Sequence, residues 1–125
     1  MTPRRPRTNY LVGLSAEDQV ARAYQKRGAE ILARRHRNEA GEIDLILRLD
    51  GILVFVEVKR RKNRAALSES ITDRQWRRLG MAATHYMMSR KDETGPVSGC
   101  RFDAALVGAD GSFEIIENAR SFDEH

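Results

Sequence analysis

The sequence predicts an α/β domain built on a mixed five-stranded sheet flanked by helices, in the order helix, three strands, helix, two strands. Three observations predict it. Two β-rich runs flank Asp50-Gly51 and two more flank Asp110-Gly111, and Asp-Gly between such runs is a strong hairpin signal. Two segments carry helix starts, Ser15 ahead of Glu17 and Asp18, and Thr72 three residues ahead of Gln75. The second of those helices falls between the hairpins, where it serves as the crossover that a mixed sheet requires.

The 125 residues provide for one core and one domain. Residues 1–12 carry Arg4, Arg5 and Arg7 with no apolar run behind them, so they read as a disordered basic arm and not as a secretory leader, leaving residues 13–125 as the domain. The first helix starts at its Ser15 cap, runs to about Arg27 and stops at Gly28, with Glu17, Val20, Ala21 and Tyr24 in one stripe. Ala29 to about Arg35 reads as a short strand. Glu42–Leu49 and Ile52–Arg60 form the first hairpin, and Asn63 to Ser70 reads as a small polar loop. Thr72-Asp73-Arg74-Gln75 has the capping-box pattern and opens a helix whose stripe is Trp76, Leu79, Gly80, Ala83 and Met87. Lys91 to Gly99 is a loop, and Arg101–Val107 and Ser112–Glu117 complete the sheet.

The first hairpin carries the chemistry. With Asp50 and Gly51 as the two loop residues, Leu49 pairs with Ile52, and continuing that register sets Asp44 opposite Glu57 and Glu42 opposite Lys59. Alternation then gives one wholly apolar face, Ile43, Leu45, Leu47, Leu49, Ile52, Val54, Val56 and Val58. The other face reads Glu42, Asp44, Ile46, Arg48, Leu53, Phe55, Glu57 and Lys59, and its apolar middle implies cover on this side too. Facing carboxylates about 4.5–5.5 Å apart at Cβ repel each other, more so when covered. A divalent cation turns that repulsion into coordination. The competing reading is a solvated sheet edge on which Lys59 bridges Glu42 and Glu57 as ordinary salt bridges. What favours a site is that the acids interrupt runs as apolar as Ile43-Asp44-Leu45-Ile46-Leu47 and Val54-Phe55-Val56-Glu57-Val58. Glu17 either joins them from the inward stripe of the first helix or is a surface acid favoured by the helix dipole.

If Glu17, Asp44 and Glu57 converge, they suit Mg²⁺ or Mn²⁺, with the Val58 backbone carbonyl as a further ligand and Lys59 placed to position a nucleophile or meet a phosphate. The reaction class is phosphodiester hydrolysis on a nucleic acid. Net charge is +4, and the basic residues cluster as Arg34, Arg35 and Arg37, as Arg60, Arg61, Lys62 and Arg64 beside Lys59, and as Arg74, Arg77 and Arg78. That is the footprint of a phosphate-backbone binder, to be weighed against a merely solubilising surface. Other classes are excluded. No phosphate loop ends in Lys-Ser/Thr and no Gly-x-Ser-x-Gly elbow is present. His36, His85 and His125 lack metal-ligand spacing, and no apolar run has membrane-spanning length. The single Cys100 rules out a disulfide framework and points to a reducing cytoplasm. Asp103 reads as the ion-pair partner of Arg101 at the start of the fourth strand.

At Ala16-Glu17, Gly28, Ile31-Leu32-Ala33-Arg34, Gly41-Glu42-Ile43-Asp44-Leu45-Ile46, Phe55-Val56-Glu57-Val58-Lys59 and Arg101-Phe102-Asp103 the chain resembles the bacterial YraN-like family. Its members are predicted endonucleases of the PD-(D/E)xK superfamily, related to archaeal Holliday junction resolvases. The chain departs from them at Arg35 or His36, where members often have Asn, and at Arg74-Gln75, where Lys-Gln is frequent. The resemblance implies a restriction-endonuclease-like core, a Mg²⁺- or Mn²⁺-dependent site at Glu17, Asp44, Glu57 and Lys59, and DNA, including branched or damaged forms, as substrate. Two coordinated cuts across a junction would call for a homodimer. The alternatives are a nucleic-acid-binding protein that keeps the nuclease fold without cleaving, and an interaction protein whose acids serve only salt bridges.

Overall fold

Two hairpins joined by one helical crossover build the sheet. The computed structural model describes residues 15–61, 71–90 and 96–120. Helix α1 spans Ala16–Lys26, strands β1 Glu30–Asn38, β2 Gly41–Leu49 and β3 Ile52–Arg61, helix α2 Asp73–Ser89, and strands β4 Cys100–Gly108 and β5 Phe113–Arg120. The five strands lie side by side in chain order. Every neighbour is antiparallel except β3 and β4, the parallel pair that α2 connects. This is an α/β fold consistent with a restriction-endonuclease-like core. The expected basic arm and the Asn63–Ser70 loop fall outside the described residues, as does most of the Lys91–Gly99 loop. Among the described residues no helix is long and apolar enough to cross a membrane.

Local chemistry explains the elements. The Ser15 side chain accepts the Asp18 N–H and caps α1, and Thr72 and Gln75 close the capping box of α2 reciprocally. Asp50 and Gly51 have φ of 54° and 82°, the left-handed pair that a type I′ turn needs, and Leu49 pairs with Ile52. The expected register holds from there to Leu45 opposite Val56. Strand β1 runs three residues past the expected Arg35, because pairing with β2 recruits a polar segment that has no apolar alternation of its own. Strand β5 likewise continues to Arg120.

The core has two layers. Against one face α1 sets Ala16, Val20, Ala21 and Tyr24 on Leu45, Leu47, Val54, Val56 and Val58. Against the other α2 sets Trp76, Leu79, Ala82 and Ala83 on Ile46, Leu53, Phe55 and Phe102. Ala82 takes the inward place expected of Gly80. Both faces are therefore covered, as the apolar middle of the second face implied.

One expectation fails, and instructively. Strict alternation put Ile43 with Leu45, yet Ile43 lies in the α2 layer while Leu45 lies in the α1 layer. The side-chain pattern of β2 thus reverses at Asp44. Strand β1 reverses at the same level. Arg34 bonds Asp18 of α1, whereas His36 stacks edge-on against Tyr86 of α2. Between them Arg35 has a φ of 51°, in the left-handed region. Arg34 pairs with Leu45 and His36 with Ile43, so the two reversals sit side by side.

Candidate metal and nucleic-acid site

The reversal in β2 decides where Asp44 points. The β2–β3 ladder runs only as far as Leu45 opposite Val56. Beyond it the Val58 N–H donates to the Asp44 side chain, at 2.8 Å from Oδ2, where a ladder would offer a backbone carbonyl. The two strands part here, and the Asp44 carboxylate enters the gap beside Glu57. Asp44 and Glu57 are therefore brought together, although by a side-chain bond and not as ladder partners. Glu42, expected opposite Lys59, instead pairs with Arg37 across β1–β2, with 3.9 Å between their charged groups. Lys59 Nζ stands 3.4 Å from Glu57 Oε2.

The electrostatics follow from burial and crowding. The Glu57 and Lys59 side chains are only 17% and 21% exposed. Burial, the neighbouring Asp44 charge and a hydrogen bond to Asp44 push the Glu57 carboxyl up to about 7, with Lys59 pulling the other way. Burial also raises Asp44; the Val58 N–H and Lys59 oppose the rise, while Glu17 and Glu42 add to it. Two acids crowded together under cover raise each other in this way, because each makes the other's charge more costly.

Glu17 sits in the first turn of α1, near enough for its charge to act on Asp44. Its carboxylate is engaged by Arg35, 3.7 Å away, and no group of three or more His, Cys, Asp or Glu among the described residues is arranged to hold a metal ion. The structure thus brings together Asp44, Glu57 and Lys59 and leaves Glu17 alongside. Two adjacent carboxylates suit Mg²⁺, which commonly takes no more than that from protein. The Val58 backbone is at the site, contributing its N–H to Asp44.

The basic residues divide by surroundings. Arg34, Arg35 and Arg37 of β1 pair with Asp18, Glu17 and Glu42 respectively. Arg60 and Arg61 end β3, with Arg60 exposed, and Lys62 and Arg64 lie outside the described residues. Arg74, Arg77 and Arg78 are exposed on α2. That helix passes close to the start of β2, where a Cβ added at Gly41 would meet the Arg78 carbonyl at 3.7 Å and Ala82 Cβ at 3.8 Å. A cavity of about 750 Å³ lies elsewhere, between the outer side of α2 and the first residues of β4.

Sequence reasoning paired Asp103 with Arg101 but missed the rest of its setting. Asp103 is wholly buried and accepts from Arg101, from the Tyr24 hydroxyl at 2.7 Å and from the Asn118 N–H at 2.9 Å. Burial and the Asp103 charge push the Tyr24 hydroxyl far above its usual range, so it stays a donor. The available signal was a tyrosine on the inward stripe of α1, since a buried hydroxyl needs a partner.

The uncharacterised protein family UPF0102 has a family model that matches residues 16–107. Similar chains include a UPF0102 protein of Ruegeria pomeroyi, 44% identical over 111 residues and covering 89% of each chain. Another, from Azorhizobium caulinodans, is 43% identical over 116 residues, covering 93% of this chain and 87% of its own. A third, from Roseobacter denitrificans, is 44% identical over 117 residues, 92% of this chain and 88% of its own. The match takes in α1, both strands that carry the facing acids, and β4 up to Val107, so the chain belongs to UPF0102, the YraN-like family.

Proposed function

We propose that this protein is a metal-dependent endonuclease that hydrolyses phosphodiester bonds in DNA, with Mg²⁺ or Mn²⁺ held by Asp44 and Glu57. One observation carries the reading: two largely buried carboxyls are packed together where the strands part, and a lysine stands 3.4 Å from one of them. Bound there, a hard divalent ion supplies charge for a phosphoryl oxygen and a more acidic water. Asp44 is fixed for this by the Val58 N–H, which holds its Oδ2. Glu57 would hold the ion in its ionised form. Lys59, already beside Glu57, positions the attacking water or offsets the charge that gathers on the phosphate. Arg60, Arg74, Arg77 and Arg78 are the groups for flanking phosphates, and branched or damaged DNA is the substrate form to try first. A lone exposed cysteine suits a reducing cytoplasm.

The reading is tested on linear, nicked, flapped and four-way DNAs with Mg²⁺ or Mn²⁺, comparing wild type with Lys59→Ala. Cut products that fall on the order of 10²-fold or more in the variant support it; no metal-dependent products on any substrate would sink it. The engagement of Glu17 by Arg35 favours one second reading, a DNA-binding protein that cleaves weakly or not at all. On that reading binding survives Glu57→Gln and no substrate is cut.

A further inference from the structure

We infer that Arg35 is a latch on Glu17: in the free protein it holds this carboxylate away from Asp44 and Glu57, and a backbone phosphate of the nucleic acid, by taking the guanidinium, frees Glu17 to join them as a third ligand for the divalent ion. The inference rests on reading Asp44 and Glu57 as a cation site.

Its first support is backbone geometry. Successive residues of a strand face opposite ways, yet Arg34 and Arg35 both reach α1, one to Asp18 and the other to Glu17. Only the left-handed φ of 51° at Arg35 turns the second side chain back to the helix. That conformation strains a residue with a Cβ, and strain of this kind persists where the surroundings hold it. The second support is position. Glu17 is paired with Arg35 and yet lies near enough for its charge to act on Asp44. The third is the difference in access. The Arg35 side chain is 66% exposed and Glu17 only 24%. A phosphate arriving from solvent meets the guanidinium first. The pair it must break is loose, 3.7 Å and at the surface, whereas an arginine fork on a phosphate forms two charge-assisted bonds.

Mn²⁺ binding, read from the loss of the free-ion electron paramagnetic resonance signal, tests the latch without relying on turnover. The proteins are wild type, Arg35→Gln, Glu17→Gln, the double variant, and Asp44→Asn as control. In wild type Glu17 is held off, so Glu17→Gln is expected to leave Mn²⁺ affinity nearly unchanged. Arg35→Gln is expected to tighten it about tenfold, and adding Glu17→Gln to that variant removes the gain. Long-range charge alone predicts instead that the two substitutions act additively, with Glu17→Gln weakening binding equally in both backgrounds; that outcome overturns the latch while the Asp44–Glu57 site stands. Absence of Mn²⁺ binding that Asp44→Asn removes overturns both. The phosphate step has its own readout, the anisotropy of a labelled phosphorothioate DNA duplex with and without Mn²⁺. Linkage requires Mn²⁺ to tighten DNA binding more in wild type than in Arg35→Gln or Glu17→Gln. An increment equal in all three overturns the release by phosphate.

Discussion

Burial and the neighbouring Asp44 push the Glu57 carboxyl up to about 7, which makes stability depend on pH. Its ordinary value is 4.5, so between 4.5 and about 7 the folded chain binds more protons at this position than the unfolded one. The stabilisation is full below the lower value and is lost as pH rises through the upper one. The raised Asp44 acts in the same sense. The difference is on the order of 3 kcal/mol at most, shared across the coupled pair. The metal-free protein should therefore melt at progressively lower temperature as pH rises through about 7, and Glu57→Gln should flatten that fall and be more stable than wild type on the alkaline side. Saturating Mg²⁺ reverses the trend, because ligation needs both groups ionised. Melting curves across the pH range with and without Mg²⁺ check all three outcomes. A wild-type curve that is flat through neutral pH would show that the Glu57 carboxyl is not raised by its surroundings.

At the scale of elements, the placing of α1 matters because it carries Glu17. Its far end is fixed by the Tyr24 hydroxyl on Asp103, which ties α1 to β4. The same carboxylate takes the N–H of Asn118, whose φ of 53° and the accompanying register shift make a bulge in β5. Glu117, one residue earlier, meets both Arg27 and Arg101. Among the described residues no buried side-chain polar atom lacks a partner, so this network is fully satisfied. Tyr24→Phe removes one bond to a buried carboxylate and should lower unfolding free energy by about 1.5–3 kcal/mol. Asp103→Ala takes the acceptor from the Tyr24 hydroxyl and the Asn118 N–H and leaves Arg101 with Glu117 alone, and should lower it by about 3–5 kcal/mol. Chemical denaturation measures both, and equal small effects would mean that Asp103 does not organise the three elements.

The elements also show what was legible in the chain. Asp50-Gly51 states its turn type in two residues, and that turn fixed the β2–β3 register down to Leu45 and Val56. Asp44 and Glu57 were legible as neighbours for the same reason. The parting of the strands was not, because it depends on a side chain capturing the Val58 N–H, which no propensity encodes. Arg35 in a left-handed conformation was hidden too, since arginine carries no local preference for it. The last residues of β1 were missed because Arg34 to Asn38 lack the apolar alternation by which a strand is read. Their partner supplies the pairing.

At the scale of the whole molecule, both sheet edges are blunted. Strand β1 has a register shift between Ile31 and Ala33 and the left-handed Arg35, and β5 has its bulge at Asn118. Such irregularities discourage strand addition, so an assembly of two chains around one substrate would have to use another surface. On the proposed function, the surface for a long polyanion is the exposed arginine side of α2. Arg78 lies where this helix crosses the start of β2, at Gly41, three residues before Asp44. Binding dominated by such contacts weakens with salt, by a log–log slope of about 0.9 for each phosphate neutralised on duplex DNA. Replacing Arg74, Arg77 and Arg78 together by Ala should lower DNA affinity and reduce that slope by up to about 2.7, while leaving Mn²⁺ affinity unaltered, because these residues are not ligands. Titrations of labelled DNA at several salt concentrations give the slope directly. A triple variant with the wild-type slope would remove α2 from the interface and leave β1 and the end of β3 as the surface that meets the backbone.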